Sequence, residues 1–286
     1  MAGATDLLGP KADRAFGLKL VAPAMIILIV LLALPTLLTV VYSLHDVPAS
    51  GSSFGPFVGI ENFTIIFSSP VFWRSAQVTL TFAIGFVVLS TVIGLAMAML
   101  LNQRFIGRGL ARALLIIPWA TPWLVIGILW KWFADGSVGG LNAVLMMLGL
   151  TSDYHPFLSD PNTALPITVL AAVWRQASFA GILLLAGLQT LPEELNEAAQ
   201  LDGANWWQRF SNITLPWLRP VLITVTVFNV IYAFLQFDVV FAMTQGGPGD
   251  TTQVLSVLIY RQLFVNTNIG LGSALAVILG VVALIG

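Results

Sequence analysis

The chain has no cysteine and only two histidines, His45 and His155, both in predicted loops. Disulfides and thiolate metal sites are therefore excluded, and no metal site is predicted. Charge is also scarce, because only 9% of the residues are charged whereas 58% are hydrophobic. A soluble globular protein carries about 25% charged residues, so the composition excludes that class and predicts a protein of the lipid bilayer. The formal net charge of −1 gives no reason to expect nucleic acid as a partner.

A nucleotide-binding loop of the type Gly-x-x-x-x-Gly-Lys-Ser/Thr is also missing from the sequence. Any ATP hydrolysis linked to this chain must therefore belong to another polypeptide. The hydrophobic stretches offer little beyond Asp238 for acid or base chemistry, so an intramembrane enzyme is not expected. No cofactor is predicted in this chain.

The hydrophobic residues concentrate in long stretches, and a helix needs about 20 of them to cross the hydrocarbon core. The predicted fold class is an all-α integral membrane protein with about six transmembrane helices. The first stretch is longer than the core of a signal peptide and lacks a small-residue cleavage site, so it is interpreted as a retained helix. The six predicted spans are 20–43, 76–101, 113–134, 164–190, 219–241 and 268–286.

Basic residues predict the orientation, since they are enriched on the cytoplasmic side of membrane proteins. The basic residues predict that residues 1–19 are a cytoplasmic tail and that residues 20–286 form a single transmembrane domain. The last span ends without a basic flank, so we expect that the natural end is trimmed or missing. The basic residues on the predicted cytoplasmic side are Lys11, Arg14, Lys19, Arg104, Arg108, Arg112, Arg209 and Arg219, against Arg74, Lys131 and Arg261 opposite.

Two long external loops, 44–75 and 135–163, each hold a semi-apolar stretch, from Phe63 to Phe72 and from Leu141 to Leu150. Short interfacial helices are predicted there. Between the fifth and sixth spans, the glycines and the proline of residues 244–250 favour a tight irregular turn.

The loop over residues 191–217 is polar and acidic although it separates two hydrophobic spans. Thr190 and Glu193 have the spacing of a capping box, which predicts a helix that begins at about Leu191. Gly203 is suited to a left-handed turn that ends this helix, and Asn205 is suited to cap a second one. An amphipathic helix on the lipid surface normally carries Lys and Arg, whereas four acids and no base precede Gly203.

This loop resembles the cytoplasmic coupling loop of the ATP-binding-cassette importer permeases, in which a Glu-Ala-Ala triplet precedes spaced Gly, Ile and Leu-Pro positions. Similar runs over residues 72–74, 237–248, 260–264 and 270–274 narrow the resemblance to the carbohydrate family of the maltose, trehalose and glycerol-3-phosphate permeases, and to its maltose-permease first-subunit type. The positions that match the coupling motif are Glu197, Ala198, Ala199, Gly203, Ile213, Leu215 and Pro216.

The resemblance implies a type I importer permease fold with a cytoplasmic coupling helix, in a bacterial or archaeal cytoplasmic membrane with the amino terminus cytoplasmic. It implies a permease subunit that forms the path of a disaccharide or oligosaccharide. Its implied partners are a second, homologous permease, two ATPase subunits that bind ATP and Mg²⁺, and an extracytoplasmic substrate-binding protein. A glycerol-phosphate substrate, and a carrier or channel that needs no ATPase, remain as alternatives.

Polar side chains within the fourth and fifth predicted spans are candidates for the substrate path, because intramembrane polar groups usually face a bundle interior or a cavity. Aromatic faces and planar amides suit a neutral polyol. A helical stripe of Asn229, Tyr232 and Gln236 would line a polar cavity. The alternative is that Arg175 pairs with Asp238 and that the amides bridge helices. The candidates are Trp174, Arg175, Gln176, Asn229, Tyr232, Gln236 and Asp238.

The third predicted span contains several tryptophans and two prolines. Pro118 and Pro122 should kink it, as a mobile gate or as a bent packing element. The tryptophans fit an interfacial belt better than a sugar track. They are Trp119, Trp123, Trp130 and Trp132.

Overall fold

The computed structural model describes residues 10–47 and 55–285, and within them the chain is helical without a β-strand. A single isolated β-bridge joins His45 and Phe57. The helices are α1 (Pro10–Leu28), α2 (Leu34–Ser43), α3 (Glu61–Ser68), α4 (Pro70–Asn102), α5 (Arg108–Ala120), α6 (Trp123–Phe133), α7 (Gly140–Met147), α8 (Ala164–Leu188), α9 (Glu193–Leu201), α10 (Trp206–Arg209), α11 (Leu215–Phe234), α12 (Asp238–Thr244), α13 (Leu255–Tyr260) and α14 (Ile269–Ile285).

Within the described residues, four helical segments are long and apolar enough to cross a membrane, and the pair α5 and α6 forms a fifth if the two count as one span. The all-α membrane fold predicted from the sequence is confirmed. The last predicted span corresponds to α14, which has 17 residues. Helices α3 and α7 confirm the two short helices predicted in the external loops. The four long segments are Phe16–Ser43, Pro70–Asn102, Ala164–Leu188 and Trp206–Phe234.

The first helix begins at Pro10, whereas the sequence placed the tail at residues 1–19 and the span from residue 20 onward. Residues 1–9 of that predicted tail lie outside the described residues. A π-helical turn over Ile29–Ala33 joins α1 to α2, so the two form one continuous helix.

The third predicted span consists of two helices that are joined by a sharp bend. Helices α5 and α6 are bent by 99° at Thr121 and Pro122. Pro122 has extended backbone angles (φ −59°, ψ 143°), which end the helical path, whereas Pro118 remains within α5. The kink predicted from the prolines is confirmed, and it lies at the second of them.

The fifth predicted span, 219–241, is wrong at its end, because α11 stops at Phe234. A break over residues 235–237 separates it from α12, which begins at Asp238. A further helix, α13, continues as a π-helical turn over Arg261–Val265 in a region that the sequence left as loop. The predicted tight turn after Thr244 is confirmed by the left-handed backbone of Gln245 (φ 53°) and Gly246 (φ 92°).

Helix α8 forms the centre of the molecule and packs mainly on α4, with α5, α6 and α11 around it. Small residues allow the close approach of α4 and α8. A Cβ atom built on Gly94 would lie 2.6 Å from Cβ of Ala180. The same occurs between α6 and α12, where a Cβ on Gly127 would lie 2.6 Å from Cβ of Ala242. These contacts hold α6 and α12 as one layer beside α8.

The first span contributes least to the core. None of the residues in its most apolar window is buried, and its carboxyl-terminal part, α2, packs on α14. Its apolar surface is therefore available to lipid or to another chain.

Candidate functional site

The acidic loop forms a helical hairpin that projects from the bundle, and its first helix, α9, has no buried residue. The helix begins at Glu193 with Pro192 as its N-cap residue (φ −58°, ψ 131°). The helix predicted from about Leu191 is therefore present and begins two residues later, whereas the predicted capping box of Thr190 is wrong. The Thr190 hydroxyl instead donates to the Gly187 carbonyl (2.8 Å), because α8 ends immediately before it.

The turn of the hairpin agrees with the sequence prediction. Gly203 has φ +79°, the left-handed conformation, and no heavy atom lies within 4 Å of a Cβ built on it. Asn205 caps α10, with its Oδ1 accepting from the Gln208 N–H (2.9 Å) while Gln208 Oε1 accepts from the Asn205 N–H (2.8 Å). The backbone then continues through a π-helical turn, Phe210–Thr214, into α11.

The hairpin presents acid and apolar groups together. Glu194 and Glu197 are exposed on α9, and Leu201 is 90% exposed at its end. Trp206 and Trp207 on α10 are also exposed, with the Trp206 ring stacked on Phe210 at 5.6 Å. Among the residues that match the coupling motif, Glu197, Ala198, Gly203, Leu215 and Pro216 are exposed, and Ala199 and Ile213 are half-buried.

Two basic groups of the chain itself lie near these acids. Arg104 in the loop after α4 forms a salt bridge with Glu193 (3.1 Å), in which both side chains are largely exposed. Glu197 and Arg209 line a cavity of about 530 Å³ between the hairpin and the end of α4, without forming a salt bridge with each other. Arg209 keeps its Nε buried with no hydrogen-bond partner among the described residues. Within the part of the chain that the structure describes, no salt bridge involves Glu197.

The amide residues of the predicted path form a buried network inside the bundle. Gln176 Nε2 donates to Asn229 Oδ1 (2.8 Å), and Asn229 Nδ2 donates to the Thr91 hydroxyl (3.1 Å). Gln176 is 1% exposed and Asn229 is fully buried. The network joins α8, α11 and α4. Gln176 and Asn229 therefore bridge helices, which was the predicted alternative to lining the substrate path. Thr91 was not singled out from the sequence.

Arg175 fastens α8 to the bend between α5 and α6. Its Nε donates to the Thr121 carbonyl (2.9 Å), and its Cζ lies 4.1 Å from the ring centroid of Trp123. Thr121 precedes Pro122 and has extended backbone angles (φ −77°, ψ 131°), so its carbonyl lies beyond the helical hydrogen bonds of α5 and the arginine supplies a donor to it. The predicted alternative of an Arg175–Asp238 pair is wrong, since no salt bridge joins these two described residues.

The tryptophans of α6 form inward aromatic contacts. The Trp123 ring lies 6.3 Å from that of Tyr232, and Trp130 lies 6.3 Å from Trp174. Two of the three α6 tryptophans, Trp123 and Trp130, pack against the main apolar cluster, and the interfacial belt stays a prediction. Trp132 is 63% exposed, and with Trp130, Phe133 and Trp174 it lines an apolar recess of about 360 Å³.

The helical stripe predicted for the fifth span does not extend to Gln236, because α11 has ended before it. Gln236 is 5% exposed, and its carbonyl accepts from the Ser256 hydroxyl (2.6 Å). Asp238 at the first position of α12 and Tyr232 on α11 are both exposed, Tyr232 to 39%. The accessible members of the predicted path are therefore Trp174, Arg175, Tyr232 and Asp238.

Arg261 holds the turn after α12, a role that sequence reasoning missed although the residue lies in a run that resembles the carbohydrate permeases. It donates to the Gln245 carbonyl (3.0 Å), forms a salt bridge with Asp250 (3.3 Å) and also donates to Gln253. Gln253 in turn donates to the Ser75 hydroxyl on α4 (3.1 Å). The turn is thus fixed to the bundle.

The same turn borders a second cavity, of about 350 Å³, together with the loop after α6. Asp135 in that loop accepts hydrogen bonds from the N–H groups of Ser137 (2.8 Å) and Val138 (3.0 Å). These hydrogen bonds lower the pKa of Asp135 below its ordinary value. Within residues 10–47 and 55–285, no group of three or more histidine or carboxylate side chains is placed to hold a metal ion.

The apolar spans around a central helix, together with a polar hairpin outside them, are the features of an integral membrane protein. The family described as "binding-protein-dependent transport system inner membrane component" matches residues 90–286. The chain belongs to that family.

Relatives of known designation match nearly the whole chain. The trehalose/maltose transport system permease protein MalF of Thermococcus litoralis is 38% identical, over 95% of this chain and 91% of the relative. The sulfoquinovosyl glycerol transport system permease protein SmoG of Agrobacterium fabrum is 35% identical, over 93% and 86% respectively. The inner membrane ABC transporter permease protein YcjO of Escherichia coli is 34% identical, over 96% and 93%.

A solved structure confirms the fold. The crystal structure of a bacterial ABC transporter that imports the acidic polysaccharide alginate aligns with a TM-score of 0.80, covering 96% of this chain and 93% of that chain. The two sequences are 24% identical. The type I importer permease fold predicted by resemblance is therefore present.

Proposed function

We propose that this chain is a transmembrane permease subunit of an ATP-driven importer, and that it forms the path of a sugar. The observation that carries the proposal is the hairpin of α9 and α10, which stands outside the bundle with all of α9 unburied. The near full-length similarity to permeases named for trehalose, maltose and sulfoquinovosyl glycerol supports a saccharide as cargo.

The hairpin is proposed as the contact with the ATPases. Glu197 meets a basic group there, while Ala198 and Ala199 allow a close approach. Gly203 sets the turn, and Ile213, Leu215 and Pro216 carry the connection into α11. Three acids lie on α9, and one of them, Glu193, is already paired with Arg104.

The proposed assembly contains a second, homologous permease, two cytoplasmic ATPases that bind ATP and Mg²⁺, and an extracytoplasmic substrate-binding protein. The relatives are named as permeases, and this chain lacks a nucleotide-binding loop, so it supplies path and coupling without catalysis. The hairpin and the amino terminus lie on the cytoplasmic side of a bacterial or archaeal membrane in this proposal. The basic residues of the tail and of the same-side loops support that orientation.

Transport is proposed to follow alternating access, in which closure of the ATPases moves the hairpin and the helices attached to it. The substrate passes the accessible polar and aromatic groups, Trp174, Arg175, Tyr232 and Asp238. Gln176, Asn229 and Gln236 support the path from inside the bundle. A carrier or channel that needs no ATPase is the rival function, and the following experiment separates it.

The test replaces Glu197 by alanine and by lysine in the complete importer. We expect uptake, and ATPase activity stimulated by the binding protein and substrate, to fall about tenfold or more, because loss of one partner of a buried ion pair at an interface costs about 2–5 kcal/mol. Uptake and ATPase activity are measured in proteoliposomes, with equal subunit content verified on a gel.

Glu194→Ala is the matched control, since Glu194 is an exposed acid on the same helix outside the coupling motif. It should retain both activities. Normal uptake and stimulated ATPase activity in Glu197→Ala, at unchanged assembly, would contradict the coupling role. Transport by this chain without any ATPase would support the carrier instead.

A further inference from the structure

Arg175 lies near the middle of α8, the candidate span with the largest buried share. Its neighbours Val173, Gln176 and Ala177 are buried, whereas Arg175 itself is half-buried and Trp174 is exposed. A positive charge in the interior of a membrane domain is costly unless it is paired or faces water. The groups around Arg175 therefore indicate the function of its charge.

Among the described residues, no carboxylate forms a salt bridge with this charge. In the part of the chain that is described, the salt bridges join Arg104 to Glu193, His155 to Asp160 and Arg261 to Asp250. Arg175 uses its Nε for the Thr121 carbonyl, and its Cζ lies over the Trp123 ring. The N–H groups on both of its Nη atoms donate to no acceptor among the described residues.

The amides that would favour a neutral sugar are already occupied. Gln176 and Asn229 bond to each other and to Thr91, and both are essentially inaccessible. Beside Arg175, the accessible groups are the rings of Trp123 and Tyr232, which suit the C–H face of a pyranose. What the site offers is thus a guanidinium over an indole ring, with a tyrosine ring close to that indole.

A guanidinium fixed at Nε and on one face presents its Nη edge in a set direction. That edge matches the two oxygens of a carboxylate, sulfonate or phosphate, to which arginine binds in a bidentate manner. We propose that Arg175 binds the anionic group of an acidic saccharide, so that the cargo class is acidic rather than neutral. This inference rests on the proposed function of the chain as a sugar permease.

The experiment compares saccharides of both classes in proteoliposomes that hold the complete importer with its binding protein. The probes are trehalose and maltose as neutral sugars, and sulfoquinovosyl glycerol and alginate oligosaccharides as acidic ones. We expect the wild type to take up an acidic probe in preference to the neutral sugars. Arg175→Gln should lower that uptake roughly 10- to 100-fold, as expected for loss of a charged hydrogen bond.

Arg74→Gln is the control, because Arg74 is an exposed arginine at the start of α4 whose side chain, among the described residues, bonds only to Gln77. It should leave acidic uptake unchanged. Arg175→Lys keeps the charge without the planar fork and should retain part of the uptake. Assembly and basal ATPase activity of each variant are measured alongside.

Two results would overturn the inference. The first is uptake of acidic probes by Arg175→Gln at the wild-type level. Loss of both uptake and assembly in Arg175→Gln and in Arg175→Lys alike would also count, because it would show that Arg175 serves only the bend at Thr121. The second requires no variant: a wild-type importer that takes up only neutral sugars leaves the proposed function intact and removes the acidic class. A wild type that takes up no saccharide of either class would instead reject the proposed function itself.

Discussion

Asn229 illustrates how a polar residue inside the membrane can serve the bundle rather than the cargo. It is fully buried between Gln176 and Thr91, and its amide provides both an acceptor and a donor. Its removal leaves the Gln176 Nε2 donor without that acceptor in a low-dielectric interior, which is unfavourable.

Replacing Asn229 by alanine is therefore expected to lower the free energy of unfolding by about 1 kcal/mol, a typical value for interhelical hydrogen bonds in membranes. The KM for uptake should stay unchanged. Both are measured on the purified importer, by thermal unfolding in detergent and by transport in proteoliposomes.

Asn266 offers the matched control, because it also donates to a glutamine amide, Gln262 (3.1 Å), but on the exposed surface. Asn266→Ala should leave stability unchanged. A raised KM with normal stability in Asn229→Ala would place Asn229 in the substrate path after all.

Individual residues were predictable where the cause is local. Gly203 and Asn205 carry out their predicted roles, because left-handed turns and helix caps depend on a few neighbouring residues. Gln236 was not predictable, since its place on a helical stripe assumed that α11 continues past Phe234. Trp123 was not predicted as a partner of Arg175, because the two residues lie far apart in the sequence and their spacing does not indicate a contact.

At the scale of elements, the hairpin of α9 and α10 depends on one left-handed residue. A Cβ at Gly203 would meet nothing within 4 Å, so a larger side chain is disfavoured there only by the left-handed backbone conformation. A non-glycine residue in this conformation costs roughly 1–2 kcal/mol. Gly203→Val is expected to weaken binding of the ATPase about tenfold, as measured by titration of the purified permease pair with ATPase.

Gly203→Asn separates this conformational effect from bulk, because asparagine tolerates the left-handed region better than other residues do. It should restore most of the binding lost in Gly203→Val. Equal loss in both variants would show that the position demands small size at the interface rather than a positive φ.

The prolines show why the path of the helices is only partly visible in the sequence. Pro23, Pro118 and Pro220 lie inside helices, whereas Pro122 separates α5 from α6 by a 99° bend. The local chemistry of the four residues is the same. At Pro122 the released Thr121 carbonyl finds a donor in Arg175, which is 54 residues away along the chain, so a tertiary contact stabilises the break.

For the whole molecule, the distribution of buried residues suggests an incomplete assembly. Helix α8 is largely buried, but the apolar window of the first span is entirely unburied, and about a quarter of the windows in the α4 and α11 spans is covered. We expect lipid to contact part of this apolar surface and the proposed second permease to pack on the rest.

The chain is therefore expected to copurify with a second permease and with ATPases when it is tagged and extracted in mild detergent. Mass spectrometry of the eluate identifies the partners, and Glu197→Lys in the same preparation should lose the ATPase while it retains the second permease. An intact chain that is isolated alone, and that still transports, would contradict the proposed assembly.

The backbone from Trp206 to Phe234 is one uninterrupted helical rod of 29 residues, which is about 43 Å long at 1.5 Å per residue. One end carries the exposed tryptophans of α10, and the other lies beside Tyr232 and the break before α12. A lever of this length multiplies small angles: a tilt of about 10° at the hairpin end displaces the far end by about 7 Å, which is more than one helical turn. Even a minor reorientation of the hairpin is thus large enough to open or close a passage of molecular width.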